Sequence, residues 1–290
     1  MIEFLQALAR HTFLQHALLA GALASVACGI VGSYVVARRI TYLAGAIAHS
    51  VLGGMGAAHY LSVVNGWPAL RPIHGAIAAA LLSAAVIGWV SLRAREREDT
   101  VIGAIWAIGM AVGIIFISQT PGYNQELMSY LFGNILMVGP SDLRLMLGLN
   151  ILVVGTVLLC YNRFLAICFD EEFARVRGLA VEFYYLLLLC LTALTIVILV
   201  TVVGVVMVIA LLTIPAAVAG GFSRTLGRTM LAAIGLSAMF TTAGLALSYQ
   251  SDLPAGATII ICAGATYLVV ALATRVLKRR RLNAPAERRP

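Results

Sequence analysis

The amino-acid sequence predicts an all-α polytopic membrane protein of about nine transmembrane helices. Composition, apolar runs and the placement of charge all favour this fold. Of the 290 residues, 61% are hydrophobic and only 11% are charged. Soluble domains carry about 25% charged residues, and a surface this poor in charge would aggregate in water. The composition therefore indicates a chain whose exterior is covered by lipid.

Nine apolar runs are long enough to cross about 30 Å of hydrocarbon. Residues 183–222 carry no charge, and a single helix of that length would be longer than the membrane is thick. We therefore divide this stretch at 201–204 into a sixth and a seventh span. The nine predicted spans are residues 12–37, 41–63, 72–92, 100–118, 142–161, 182–202, 204–222, 229–248 and 255–275.

The basic residues predict the orientation of these spans. Loops rich in arginine and lysine stay in the cytoplasm. With the N-terminus outside and the C-terminus inside, only Arg10, Arg71 and Arg144 of the 20 basic residues lie on the outer side. A count of eight spans would move one basic cluster outside or merge two spans. The charges therefore favour nine.

The remaining segments give the domain organisation. Residues 1–275 form one transmembrane domain, in which 162–181 is the longest cytoplasmic loop. Residues 119–141 lie on the outer side and are too polar to span, so we expect a short helix or a re-entrant piece there. Residues 276–290 form a basic cytoplasmic tail, which we expect to be disordered near anionic headgroups.

The sequence lacks motifs for catalysis. A Walker A loop requires the pattern GxxxxGK followed by Ser or Thr, but the only lysine is Lys278, in an arginine-rich stretch. The five cysteines are scattered without a C-x-x-C pair, which argues against a structural zinc site or a disulfide framework. We therefore expect a protein that is not an enzyme and has no ATPase site of its own.

The longest cytoplasmic loop contains a candidate amphipathic helix. Asp170 is a good N-cap and Gly178 can end the helix, with acidic residues in the first turn and arginines in the last. Phe169, Phe173 and Val176 can share one face. The segment is either a connector between two spans or a helix that docks onto a soluble partner, and composition alone leaves both open.

Five sequence strings, in this order and with this spacing, resemble one known family, the membrane permeases of zinc, manganese and iron ABC importers. The resemblance covers nearly the whole chain. The strings are GSYVVARRITYL at 32–43 continuing into AIAH at 46–49, LMSYLFGNIL at 127–136, FDEEFARVRGL at 169–179, LLTIPAAVA at 211–219 and DLPAGA at 252–257.

This resemblance implies an ABC-importer permease in the inner (plasma) membrane of a bacterium. It implies a homodimer with the pathway between the subunits, two cytoplasmic ATP-binding-cassette ATPase subunits, and an extracytoplasmic metal-binding protein. No permanently bound cofactor is implied, because the divalent metal is the cargo. The family's coupling helix, which contacts the ATPase, corresponds here to Asp170, Glu171, Glu172, Phe173, Ala174, Arg175 and Gly178.

Ionisable residues inside the spans are candidates for the metal pathway. We expect no Asp or Glu in the middle of a span, so a deep ligand must be His, Cys, Met or backbone. His49 lies about two turns inside the second span, and intramembrane ionisable residues mark pathways by default. His59 lies about 15 Å further along the same helix, near the outer side. The alternative for His59 is a histidine at the membrane interface with no role in transport. Asp252 can supply a carboxylate at the outer mouth.

One position departs from the family pattern. Between the double arginine and His49 the family usually places an aspartate, and this chain has Gly45. The alternatives to a free-metal permease are a permease for siderophores or cobalamin and, from another class, an ion-coupled secondary transporter. A secondary transporter is expected to use intramembrane carboxylates, which the predicted spans lack. The choice among zinc, manganese and iron stays open, because all three accept imidazole.

Overall fold

The computed structural model describes residues 2–67, 69–93, 98–121, 133, 135–251 and 253–282. These residues form α-helices, one short 3₁₀ turn at Ile135–Met137 and no strand. The helices are α1 Ile2–Arg10, α2 Thr12–Ala37, α3 Thr41–Val64, α4 Pro72–Arg93, α5 Glu98–Gln119, α6 Pro140–Phe169, α7 Glu171–Val176, α8 Val181–Val203, α9 Val205–Gly220, α10 Leu226–Ser251 and α11 Ala255–Leu282.

The predicted all-α polytopic architecture is confirmed, and each of the nine predicted spans corresponds to a helix. Seven of these helices, α2, α4, α5, α6, α8, α10 and α11, are long and apolar enough to cross a membrane. The number nine is approximate because α3 and α9 differ. α3 has 24 residues but is rich in glycine and contains two histidines, and α9 has only 16 residues, about 24 Å of helix.

The two exceptional helices lie inside the bundle. α3 packs between α4 and α5 and also contacts α8 and α9. α9 in turn packs against α2, α10 and α11, and it continues through Pro215 to Gly220. Because protein rather than lipid surrounds most of their surfaces, these helices do not need the hydropathy of a lipid-facing span.

Glycines set the close packing of α3, as expected for this glycine-rich helix. A Cβ at Gly53 would lie 2.5 Å from the carbonyl oxygen of Gly109 in α5. A Cβ at Gly54 would collide with the carbonyl of Gly75 in α4, and the reverse also holds. Backbone therefore touches backbone on two sides of α3, an approach that only small residues permit.

The division of the uncharged stretch is confirmed at Gly204. This glycine has φ of +83° and separates α8 from α9. A positive φ is accessible to glycine at little cost, so the chain can end one helix and begin the next within a single residue. A Cβ at Gly133 would collide with the Val203 carbonyl, which places part of the outer segment against this break.

Two helices extend further along the chain than the sequence predicts. α6 continues to Phe169, so residues 162–169 of the predicted loop are helical. α11 continues to Leu282, which makes the first part of the predicted disordered tail, residues 276–282, helical as well. An apolar run ends where a span leaves the hydrocarbon, but the hydrogen bonding of the helical backbone can continue beyond that point. Most of the outer segment, residues 122–132 and 134, lies outside the described residues.

Candidate functional site

α7 is capped as its sequence predicts. The backbone N–H of Phe173 donates to Asp170 Oδ1 at 2.9 Å, which satisfies one of the free donors at the helix start. Gly178 follows the helix with φ of +78°, the conformation that closes a helix at C′. The six-residue helix therefore has defined ends, although it is too short to be stable without packing.

One edge of α7 packs inward and the other is uncovered. Ala174 is fully buried, whereas Phe169, Phe173 and Val176 are 71%, 54% and 86% exposed. Glu172 is exposed beside them. A cleft of about 640 Å³ between the end of α6, α7 and the start of α10 adjoins this apolar edge. These three apolar side chains lie between the predicted fifth and sixth spans, and exposed apolar patches of this kind are typical of interaction surfaces.

Arg38, at the end of α2, joins α7 to the transmembrane helices. Its Nη1 donates to the carbonyl of Ile167 at 2.5 Å, and its Nη2 lies 3.4 Å from Glu171 Oε2. The guanidinium stacks 4.4 Å from the ring centroid of Tyr185 in α8. Three helices and α7 therefore meet at one arginine. The sequence predicts Arg38 as a cytoplasmic charge and as part of the family string at 32–43, but nothing in it indicates these contacts.

A second ion pair lies at the other end of the predicted coupling segment. Arg175 Nη1 lies 2.8 Å from Glu182 Oε1 in the first turn of α8. Both side chains are about half exposed, so this pair contributes little stability. Its consequence is geometric, because it connects the last turn of α7 to α8 while Arg38 connects the first turn to α2.

His49 is a buried imidazole in the middle of α3. Its ring stacks on Trp106 of α5 with centroids 4.8 Å apart and an angle of 22° between the planes. The side chain is only 8% exposed, and its Nδ1 atom has no hydrogen-bond partner among the residues that the structure describes. Buried polar atoms are nearly always paired. Among the described residues, Nδ1 is one of four buried side-chain atoms without a partner, together with those of Tyr34, Asn150 and Ser237, and it is the one imidazole nitrogen of the four.

The other predicted pathway residues are not gathered around His49. His59 is partly buried about 15 Å along the same helix, too far to share one ion with His49 within a chain. Asp252 lies outside the described residues. Within the described part of the chain, no three residues of His, Cys, Asp or Glu come close enough to hold a metal ion.

Carboxylates are confined to helix ends in the part of the chain that the structure describes. Glu98 and Asp99 begin α5, Asp142 begins α6, and Glu182 lies in the first turn of α8. The acidic residues near α7 lie in or next to that segment. A ligand that this part of the chain offers in the middle of a helix is therefore not a carboxylate.

A cleft of about 350 Å³ borders Trp106. Its walls come from α2, α3, α5, α9 and α11, and they include Thr41, Tyr42, Gly45, Trp106, Thr213 and Tyr267. A Cβ at Gly45 would lie 2.6 Å from Cζ3 of the Trp106 ring. The space where the family usually has an aspartate is thus occupied here by indole. The sequence shows Gly45 as a departure from the family pattern, but nothing in the sequence indicates that this residue contacts Trp106.

Comparison with known proteins agrees with the architecture. The profile of the ABC 3 transport family matches residues 10–274. A relative named "Probable metal transport system membrane protein", from Chlamydia trachomatis, is 44% identical over 258 residues, 89% of this chain and 88% of its own. The manganese import system permease protein ScaB of Streptococcus gordonii is 31% identical over 96% of this chain and 98% of its own.

A solved structure gives the same result in three dimensions. The structure is described as PsaBC from Streptococcus pneumoniae in complex with Fab, and the matched chain is 30% identical with a TM-score of 0.82. The match covers 93% of this chain and 95% of that one. This chain therefore belongs to the ABC 3 transport family, the family of metal-importer permeases that the five sequence strings predicted.

Proposed function

We propose that this chain is the membrane permease subunit of an ATP-binding-cassette importer for a divalent metal ion: zinc, manganese or iron(II). Two copies form the pathway between them, two separate ATPase subunits bind on the cytoplasmic side, and an extracytoplasmic protein delivers the metal. The N-terminus lies outside and the C-terminus inside. The names of the relatives support a metal as cargo, since they include a manganese import permease and a metal transport protein.

The observation that carries this proposal is the uncovered edge of α7. Phe169, Phe173 and Val176 are exposed there, while the buried Ala174 packs the segment against the bundle and Arg38 and Glu182 contact its two ends. A docked ATPase would cover the apolar edge. The chain has no Walker A motif, so energy from ATP must come through such a contact.

The attachment of α7 suggests how that energy reaches the membrane. ATP binding draws the ATPase subunits together, and a rigidly held α7 moves with them. Arg38 and Glu182 then transfer the displacement to α2 and α8. Packed helices change between discrete arrangements rather than bending continuously, so the bundle can open the pathway alternately to each side.

His49 is the residue we propose for the metal pathway. Neutral imidazole binds zinc, manganese and iron(II), and the unpartnered Nδ1 of His49 is available as a ligand. One imidazole cannot replace the water around a divalent ion, so further ligands are needed. A symmetric dimer supplies a second His49, and we include His59 and Asp252 nearer the outer mouth.

Reconstitution tests the proposal. The chain, its ATPase and its binding protein are placed in proteoliposomes, and uptake of each of the three metals is measured with and without ATP. We expect uptake that requires ATP and all three components, and no ATP hydrolysis by the chain alone. Uptake driven by an ion gradient without the ATPase would contradict the proposal, as would transport of a siderophore or cobalamin instead of a free ion.

A further inference from the structure

We propose that Trp106 is a movable partition in the metal route. In the present arrangement its indole separates His49 from the cleft beside the α2–α3 turn, and a cation can pass only when the ring leaves this position. The inference rests on the proposed function, because it takes a divalent cation to be the species that reaches His49.

The indole has a different neighbour on each side. It stacks on the His49 imidazole, with centroids 4.8 Å apart. It also lines the 350 Å³ cleft together with Thr41, Tyr42 and Gly45. His49 is not among the residues that line this cleft, although it lies only one helical turn beyond Gly45, about 6 Å along α3. The Trp106 ring thus occupies the space between them.

The cleft lies at the end of the bundle that bears α7. Thr41 begins α3 only a few residues after Arg38, and Arg38 contacts both the end of α6 and Glu171. A displacement of α7 therefore acts on the same corner of the molecule as the partition. This places Trp106 between His49 and the cytoplasmic side in the proposed orientation.

Gly45 makes room for the ring. A Cβ at this position would lie 2.6 Å from Cζ3 and 2.8 Å from Cη2 of Trp106, distances that real Cβ atoms do not show. Trp106 is only partly buried, so neighbouring side chains do not enclose it completely. A glycine on one side and incomplete packing elsewhere allow a large ring to leave and return.

The effect on His49 follows from the unpaired nitrogen. While the indole covers the imidazole, Nδ1 has no partner in the described structure. When the ring moves, the imidazole is exposed toward the cleft and can exchange a ligand with water or with a residue there, such as Thr213. The partition thus prevents a bound ion from leaving until the helices rearrange.

Removal of the ring is the first test. Proteoliposomes containing the whole importer are loaded with zinc, manganese or iron(II), and metal efflux is measured without ATP. We expect Trp106→Ala to raise this passive efflux on the order of tenfold or more, and Trp106→Phe to raise it less. The matched control is Trp89→Ala on α4, where the tryptophan is 61% exposed. This variant should show the same passive metal efflux as the wild type.

A pair of substitutions tests the role of Gly45 separately. Gly45→Ala should displace the indole and reduce ATP-driven uptake. Because Cζ3 and Cη2 lie where a phenylalanine ring does not reach, Trp106→Phe in the same chain should restore uptake toward that of Trp106→Phe alone. Relief by Trp106→Phe shows that the Gly45→Ala defect acts through the indole, because the three atoms nearest the added Cβ all belong to Trp106.

The outcomes separate this inference from the proposed function. A wild-type importer that moves none of the three metals contradicts both. Two results overturn the partition alone when the wild type shows normal uptake. One is passive metal efflux from Trp106→Ala that is no faster than from the wild type. The other is a Gly45→Ala defect that Trp106→Phe does not relieve. If Trp106→Ala does not assemble, passive metal efflux from Trp106→Phe decides the question.

Discussion

Arg38 offers a quantitative test of how α7 is held. Arg38→Ala removes the donor to the Ile167 carbonyl, one of the last carbonyls of α6 that have no partner within the helix. A bond from a charged donor contributes about 1.5–3 kcal/mol. The ion pair with Glu171, which is 39% exposed, adds at most about 1 kcal/mol, and stacking on Tyr185 adds about 0.5–1 kcal/mol.

These contributions are not additive, so we take the expected loss as on the order of 3 kcal/mol. That loss raises the open population of α7 on the order of a hundredfold. Amide hydrogen exchange reports this local opening directly, and it is measured over residues 170–178 in the assembled importer. We expect exchange there to be faster by about two orders of magnitude, with less metal moved per ATP hydrolysed.

Two other variants isolate the cause. Arg39→Ala removes the same charge from the neighbouring, exposed position and should leave exchange at α7 unchanged. Arg38→Lys keeps the charge but cannot donate to two acceptors in the planar geometry of a guanidinium, so an intermediate result is expected. If exchange in Arg38→Ala stays within about threefold of wild type, Arg38 does not hold α7 and the proposed transfer of motion through it is wrong.

Three further changes test other parts of the structure. Gly109→Ala places a Cβ 2.7 Å from the Ser50 Cα and should destabilise the bundle by about 1–3 kcal/mol, measured by thermal unfolding. Gly103→Ala, with open space around it, should not destabilise it. Equal unfolding temperatures for the two variants would refute the glycine contact. Phe173→Asp should weaken binding of the ATPase on the order of a hundredfold, and folding should stay intact because the side chain is 54% exposed. Phe173→Leu should retain most of the binding. Undiminished binding by the aspartate variant would make α7 a simple connector. His49→Gln should abolish metal uptake without loss of assembly, and uptake equal to wild type would show that His49 is structural.

The positions of the spans could be predicted because the bilayer imposes them. A run of apolar residues must be about 20 residues long to cross the hydrocarbon, and every predicted run contains a helix. The capping of α7 by Asp170 and Gly178 was equally predictable, because both effects act over a few neighbouring residues. Local rules of this kind need no knowledge of the tertiary fold.

The contacts of the candidate site could not be predicted in the same way. The bond from Arg38 to Ile167 joins residues far apart in sequence, and so does the approach of Gly45 to Trp106. Nothing in a single sequence states which face of α5 meets α3. His49 was identified because an ionisable residue within an apolar run is costly, but its stacking partner became apparent only from the packing.

α3 holds His49, and its hydropathy is too low to place it among the clear membrane spans. Both properties have the same cause. Four glycines and two histidines lower the hydropathy of α3, and it is not among the seven helices that are long and apolar enough to cross a membrane. The same small residues let α4 and α5 approach to backbone contact at Gly54 and Gly53, which removes most of α3 from lipid. A helix enclosed by protein can hold an imidazole at membrane depth, because its polar atoms face neighbouring helices rather than hydrocarbon. In this fold, a span of low hydropathy rich in small residues therefore indicates the helix where a polar pathway can be built.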